Sequence, residues 1–289
     1  MSIEVNQVTY TYMPQTAFER TALSKITLTI EEGVLTAIAG HTGSGKSTLV
    51  QHLNGILHPT QGSVMVDGQD LAAKDKTAIT ARRRVGMVFQ YPEHQLFEET
   101  VEEDIAFGPK NLGLSAEEIA RRVRRAMELV RLDYDTYRER SPFQLSGGQK
   151  RRAAIAGVLA MEPKYLVLDE PTAGLDPRGR DDLLQRIVRL HREKKMTVIF
   201  VSHNMDDIAR LADRVIFMHE GRVLLDAPPR EAFQEKSALE TAGLEEPETV
   251  TLLEKLQQRG LAVNTDAFTA EETAQRIIRA LRKRGGGRC

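Results

Sequence analysis

Gly40-His41-Thr42-Gly43-Ser44-Gly45-Lys46-Ser47-Thr48 follows directly on the apolar, strand-like run Leu35-Thr36-Ala37-Ile38-Ala39, and it reads as a phosphate-binding loop. Glycines at positions 40, 43 and 45 let the backbone turn without Cβ clashes, so several N–H groups can converge on one anion. A helix expected from about Lys46 to Asn54 aims its N-terminal dipole at the same point. In a loop of this spacing Lys46 reaches the β- and γ-phosphates, and the hydroxyl of Ser47 supplies an oxygen to Mg²⁺.

Three more buried runs deliver polar groups at their C-terminal ends, as the run ending at Ala39 delivers the phosphate loop. Val85 to Phe89 ends on Gln90, Tyr165 to Leu168 on Asp169-Glu170, and Thr197 to Val201 on Ser202-His203. Parallel sheets build a site this way, at the C-terminal ends of their strands. Adjacent carboxylates after a buried strand are costly unless they meet a cation or a substrate. Asp169 therefore suits a Mg²⁺-linked position opposite Ser47, while Glu170, pointing the other way, can act on a water. Leu145-Ser146-Gly147-Gly148-Gln149 opens the helical run Lys150 to Ala160 and forms a second anion site, with Ser146 as N-cap and unobstructed first-turn N–H groups. Ala173-Gly174-Leu175-Asp176-Pro177 reads as a loop before a helix from Arg178 to about Glu193.

Around these motifs the chain is more ordinary. Ile3 to Val8 and Lys25 to Ile30 alternate like half-buried strands of an N-terminal β layer, and Asp67-Gly68 suits a hairpin. Between the two strands Tyr10 and Tyr12 interrupt the pattern, and either can pack in the core or stack on a planar ligand. After Gln90 a helical insertion is expected. Tyr91 to Phe97 is loop-like, and Gly108-Pro109 breaks the chain. Ser115 with Glu118 then caps a helix through about Leu132, with Ile119, Val123, Met127 and Val130 on one face and a solvated arginine face at 121, 122, 124, 125 and 131. A hairpin turns at Glu220-Gly221. Beyond Pro228-Pro229 two amphipathic helices are expected, around Val250 to Leu256 and from a Thr269/Glu272 capping box, the latter with Ala274, Ile277, Ile278 and Leu281 on one face. They suit packing or dimerisation rather than chemistry.

At 289 residues, 41% hydrophobic and 28% charged, the composition is that of a soluble globular chain. Forty basic residues against 41 acidic ones give no general nucleic-acid footprint. No apolar run is long enough for a membrane span, and the N-terminus lacks the pattern of a secretory signal. The expected place is the cytoplasm unless a partner holds the chain at a membrane. A single cysteine, Cys289, forms no internal disulfide; the tail Arg284-Gly285-Gly286-Gly287-Arg288 before it is expected to be disordered, and it is no prenylation signal.

Taken in order from about Ile3 to Phe233, the motifs resemble those of ATP-binding-cassette ATPases. The resemblance implies an α/β fold of the phosphate-loop NTPase type, with an N-terminal β subdomain, a RecA-like parallel-sheet core, and a helical signature subdomain inserted at about 92–160. It places the ATPase domain at 1–235 and a small helical dimerisation extension at 236–289. It implies ATP and Mg²⁺. By this resemblance Tyr12 stacks on adenine, although Tyr10 lies two residues away on the same face, and Gly40 to Thr48 hold the phosphates. Gln90 is the glutamine of the Q-loop and joins Ser47 and Asp169 as a metal-linked residue. Ser146, Gly147, Gly148 and Gln149, with Leu145, match the family signature without departure and cover ATP bound to a partner's phosphate loop. Asp176 belongs to the D-loop, Glu170 is the catalytic carboxylate, and His203 is the switch histidine, sharing phosphate charge with Lys46.

More narrowly, His41-Thr42-Gly43, Gln90 to Val101 and Gly157 to Pro163 are similar to energy-coupling factor transporter ATPases, and specifically to the second of their two paired subunits. That likeness implies ATP-driven import of vitamins or transition-metal ions from the cytoplasmic face of the membrane. The implied partners are a homologous ATPase in a heterodimer, or a second copy when the chain stands alone, and a transmembrane coupling protein. The coupling protein would dock on the helical subdomain and on exposed Tyr91, Leu96 and Phe97; a substrate-binding membrane protein takes part indirectly, and nucleic acid does not. The alternative is a soluble cassette ATPase acting on nucleic acid or ribosomes, against which stand a single cassette, short loops and balanced charge. A non-hydrolytic regulator would carry a degraded signature or lack the glutamate, and both are intact here.

Overall fold

A computed structural model describes residues 1–285. In chain order the elements are β1 (Ser2–Tyr12), β2 (Arg20–Glu31), β3 (Leu35–Ala39), α1 (Lys46–Leu53), β4 (Gln61–Val66), β5 (Gln69–Asp70), α2 (Lys76–Arg83), β6 (Val85–Val88), α3 (Val101–Asn111), α4 (Ala116–Leu129), α5 (Tyr134–Tyr137), α6 (Gly147–Leu159), β7 (Tyr165–Asp169), α7 (Pro177–Lys194), β8 (Thr197–Val201), α8 (Met205–Leu211), β9 (Arg214–His219), β10 (Arg222–Ala227), α9 (Pro229–Ala232), α10 (Lys236–Ala242), α11 (Glu248–Gln258) and α12 (Ala270–Gly285). Single 3₁₀ turns occupy Pro92–Gln95 and Pro142–Gln144.

Two sheets make the frame. One is antiparallel, in the order β2-β1-β4-β5, and the other has the order β10-β9-β3-β8-β7-β6. In the second, β9, β3, β8, β7 and β6 run parallel, with β10 antiparallel at the edge. Every residue of β3, β6, β7 and β8 is buried, which explains why these strands read as continuous apolar runs rather than alternating ones. Successive side chains leave the sheet on opposite faces. Ile38, Val167, Ile199, Val201 and Ile216 enter a core shared with the antiparallel sheet, while Ala37, Leu166, Leu168, Phe200 and Phe217 enter one shared with the helices. The C-terminal ends of β3, β8, β7 and β6 thus lie side by side.

The insertion differs from expectation in three places. Gly108-Pro109 does not break the chain, because α3 runs on to Asn111. Pro109 lies in the last turn, where it forfeits only the one hydrogen bond its N–H would have made to the Ile105 carbonyl, and it is buried with Val101, Ile105 and Ala106 on the face that meets α6. Helix α4 stops at Leu129 rather than Leu132, and its capping box is half formed: Ser115 accepts from the Glu118 N–H, but the Glu118 carboxylate is taken by Arg121 and Arg122. Those pairs hold Glu118 down at about 2. Leu96, expected to be exposed, is buried against α3 and α6 neighbours, whereas Tyr91 and Phe97 are exposed.

Beyond β10, among the described residues, there are four helices rather than two. Leu239 and Ala242 of α10 are buried in the main helical-side core, and Phe233 bridges Phe217 and Phe268. A separate small core gathers Leu253, Leu261, Val263, Ala267 and Ala280. The apolar face expected on α12 is split, since Ile277 packs inward with Thr273 and Ala280, while Ala274, Ile278 and Leu281 face outward. At its start Thr269 accepts from the Glu272 N–H, but the Glu272 carboxylate receives the N–H of Phe268 instead of closing the box. Helix α12 continues to Gly285, and the expectations about the remaining tail and Cys289 lie outside the described residues. Among the described residues no helix is long and apolar enough to cross a membrane.

Candidate active site

The loop from Gly40 to Gly45 is wedged between β3, β9 and β2, and this confinement dictates its glycines. A Cβ on Gly40 would sit 2.2 Å from the Met218 carbonyl oxygen, and one on Gly45 would sit 2.7 Å from that of Ala22. Their φ values of +155° and +101° exclude most side chains independently. Ser44 accepts from the Gly221 N–H, and the His41 N–H donates to the Ala242 carbonyl at 3.1 Å, so α10 is tied to the loop. His41 also packs edge-on against His219. Lys46 is buried, and its Nζ donates to the carbonyls of Gly40 and His41 at 2.7 and 3.0 Å. Burial pulls its pKa down, against the opposing field of Glu170 and Asp169. Gly43, Ser47 and Thr48 complete the cleft mouth, and Thr42, exposed beside them, gives its carbonyl to the His41 ring.

Asp169 ends β7 and is 5% exposed. Ser47 Oγ donates to its Oδ1 at 3.3 Å. Burial raises the Asp169 pKa, with the charge of Glu170 adding to it and the Ser47 hydrogen bond and Lys46 opposing it. A buried carboxylate beside a hydroxyl and a second carboxylate suits a hard cation, and cis ligands of an octahedral Mg²⁺ stand about 3.0 Å apart. Among the described residues no group of three or more His, Cys, Asp or Glu is placed to hold a metal ion.

Glu170, at φ +48°, follows Asp169 at the end of β7. It meets two groups from the neighbouring strand ends. Gln90 Nε2 donates to Oε2 at 2.9 Å, and His203 Nε2 contacts Oε1. The structure therefore brings together Gln90, Glu170 and His203 on one side and Lys46, Ser47 and Asp169 on the other. Gln90 gives its Nε2 to Glu170 and makes no hydrogen bond to Ser47 or Asp169.

Tyr12 lies at the rim of the cleft, its hydroxyl 3.2 Å from Thr48 Oγ1. Tyr10, in the same strand, packs edge-on against both Tyr12 and His52, turned toward the core. Rather than interrupting a strand, both tyrosines belong to β1. Directly across the ladder from Tyr12 is Arg20, which also lines the cleft and which the sequence reading missed. The loop between the two hides their register.

Ser146, Gly147, Gly148 and Gln149 are not joined to the phosphate loop of their own chain. Ser146 and Gln149 close a capping box at the start of α6, and Gln149 Nε2 donates to Tyr137. Nothing stands within 4 Å of where a Cβ on Gly147 or Gly148 would be, so the first turn faces open space. Asp176 caps α7 by accepting from the Gly179 N–H at 2.7 Å. Arg151, one turn into α6, was also missed, because Lys150-Arg151-Arg152 reads as surface charge. It is buried and binds both carboxylate oxygens of Glu93, together with the carbonyls of Pro171 and Ala173.

The phosphate loop, the four adjacent strand ends and the separate Ser-Gly-Gly helix start are those of an ABC-type ATPase, and a family model described as ABC transporter matches residues 23–173. The energy-coupling factor transporter ATP-binding protein EcfA2 of Clostridium perfringens is 52% identical over 282 residues, 98% of this chain and 99% of that one. The solved structure of cbiO1 from Clostridium perfringens, part of the ABC transporter complex cbiONQ, is 39% identical with a TM-score of 0.73, covering 87% of this chain and 98% of that one. A dimeric ATP-binding cassette in a post-hydrolysis state bound to ADP and Pi is 30% identical with a TM-score of 0.70, covering 78% and 98%. This chain belongs to the energy-coupling factor transporter ATP-binding proteins, within the ABC transporter family.

Proposed function

We propose that this chain is the second of the paired ATPases of an energy-coupling factor importer, using ATP to power uptake of vitamins or transition-metal ions through a membrane coupling protein. One observation carries the dimeric reading: the chain holds two anion-binding helix starts, at Lys46 and at Gly147, that are not joined to each other. One ATP has one γ-phosphate, so the exposed Ser146-Gly147-Gly148 turn covers nucleotide held by another chain, as Tyr12 and the Gly40–Thr48 loop hold this chain's own. Glu170, oriented by Gln90 and His203, polarises the attacking water, and Lys46 and His203 balance charge on the phosphates. Mg²⁺ held by Ser47 and Asp169 supplies further charge neutralisation when bound.

The coupling protein would meet exposed Tyr91 and Phe97, the latter set edge-on against Phe107. The outward stripe Ala274, Ile278 and Leu281 gives the 236–289 extension an apolar face for the partner ATPase. Together these contacts hold the chain against the membrane's cytoplasmic face. Ser146→Arg tests the shared site: it should keep ATP binding to its own chain and abolish ATP-driven pairing on a sizing column. Pairing at the wild-type ATP concentration would contradict the reading.

A further inference from the structure

We propose that Arg20 is a nucleotide-binding residue, contacting the polyphosphate chain of ATP from the wall of the cleft beside Gly43. The proposal rests on the ATP-binding reading above and concerns a residue outside its motifs. Arg20 is the first residue of β2 and pairs across the ladder with Tyr12. Its Nη2 lies 3.3 Å from the point where a Cβ on Gly43 would sit, so the guanidinium rests against the phosphate loop itself. It lines the same cleft as Tyr12, Ala22, Gly43, Gly45, Lys46, Ser47 and Thr48.

The second observation is that this cation has no protein partner. Among the described residues Arg20 makes no ion pair and no side-chain hydrogen bond, unlike Arg121, Arg151, Arg180 and Arg214. The adjacent carboxylate of Glu19 is occupied by the N–H of Gln15. A planar guanidinium with free donors, held at the edge of a loop of converging N–H groups, fits a phosphate oxygen better than a hydroxyl or a ring. Tyr12 and Arg20 then divide the ligand between them. The tyrosine, beside Thr48, takes the base end, and the arginine, beside Gly43, takes the phosphates beyond the first.

Affinities for ATP, ADP and AMP, read by displacement of a fluorescent N-methylanthraniloyl-ATP from the full-length chain, test this in wild type, Arg20→Ala and Arg20→Lys. Arg20 is exposed to solvent, and a charged hydrogen bond at such a site is worth at most about tenfold in affinity at low salt, less at high salt. Arg20→Ala should weaken ATP and ADP by about tenfold and AMP by less than about twofold, with Arg20→Lys recovering part of the loss. Unchanged ATP affinity in Arg20→Ala, or an equal loss for ATP, ADP and AMP, would overturn the proposal. Failure of the wild type to bind ATP would instead strike the ATPase reading.

Discussion

Arg151→Met removes a guanidinium that joins three parts of the site. Its Nε and Nη2 each donate to Glu93 at 3.0 Å, and its Nη1 donates to Pro171 O at 3.2 Å and Ala173 O at 2.7 Å. Glu93 lies in the turn after Gln90, Pro171 follows Glu170, and Arg151 belongs to the helix headed by Ser146. Burial pushes the Glu93 carboxyl up, but the bonds from Arg151 outweigh it and hold the pKa below its usual value. Breaking a buried pair from one side costs about 3–5 kcal/mol. Glu93 keeps a fifth of its side-chain surface, so the lower end, about 3 kcal/mol, applies. For a chain of this size that corresponds to a fall in Tm of about 6–12 °C. Because the loop after Glu170 loses two anchors, kcat should fall at least about tenfold, while ATP binding at the Gly40–Thr48 loop is kept. Thermal unfolding by circular dichroism, a coupled ATPase assay and ATP titration read the three quantities. A Tm within about 2 °C of wild type together with unchanged kcat would refute the linkage.

Three other outcomes follow from the same geometry. Glu170→Gln should retain ATP and hold the chain in its paired state while turnover falls by about a hundredfold or more; wild-type turnover would remove Glu170 from the chemistry. Asp67, bound by Tyr165, Lys164 and Arg84, has its pKa lowered: burial raises it, and those hydrogen bonds more than compensate. The unfolded chain therefore binds the proton first, so this contribution is complete above the unfolded pKa of about 3.9 and is lost as pH falls through the folded one. The Tm gap between wild type and Asp67→Asn should be constant from pH 5 to pH 8 and shrink toward pH 3, and a gap independent of pH throughout would be the contrary result. Phe97→Ala, at an exposed ring, should leave basal ATPase intact and reduce uptake by the reconstituted transporter; normal uptake would count against docking there.

Most of the site was legible because its residues are local to the strands that present them. Asp169, Gln90 and His203 each follow a short apolar run, and β3, β6, β7 and β8 are buried on both faces, so the runs are unbroken. What stayed hidden depends on contacts distant in sequence. Arg20 meets Tyr12 through a register that seven loop residues conceal, and Arg151 meets Glu93 across 58 positions. Packing also overrode local signals. Helix α3 passes through Pro109 because its apolar face is buried, Leu96 turns inward where its neighbours face out, and α12 divides its apolar residues between two sides. The extension's tie to the phosphate loop, from the His41 N–H to the Ala242 carbonyl, has no sequence signature at all, since it joins backbone to backbone.

The most direct measurement is the ATPase rate of the purified chain, alone and then assembled with a homologous partner ATPase and a transmembrane coupling protein. Low activity alone and strong activity only in the co-purifying complex is the result the proposed shared site predicts. High activity in the isolated chain, unchanged on mixing and with no membrane partner retained, would contradict it.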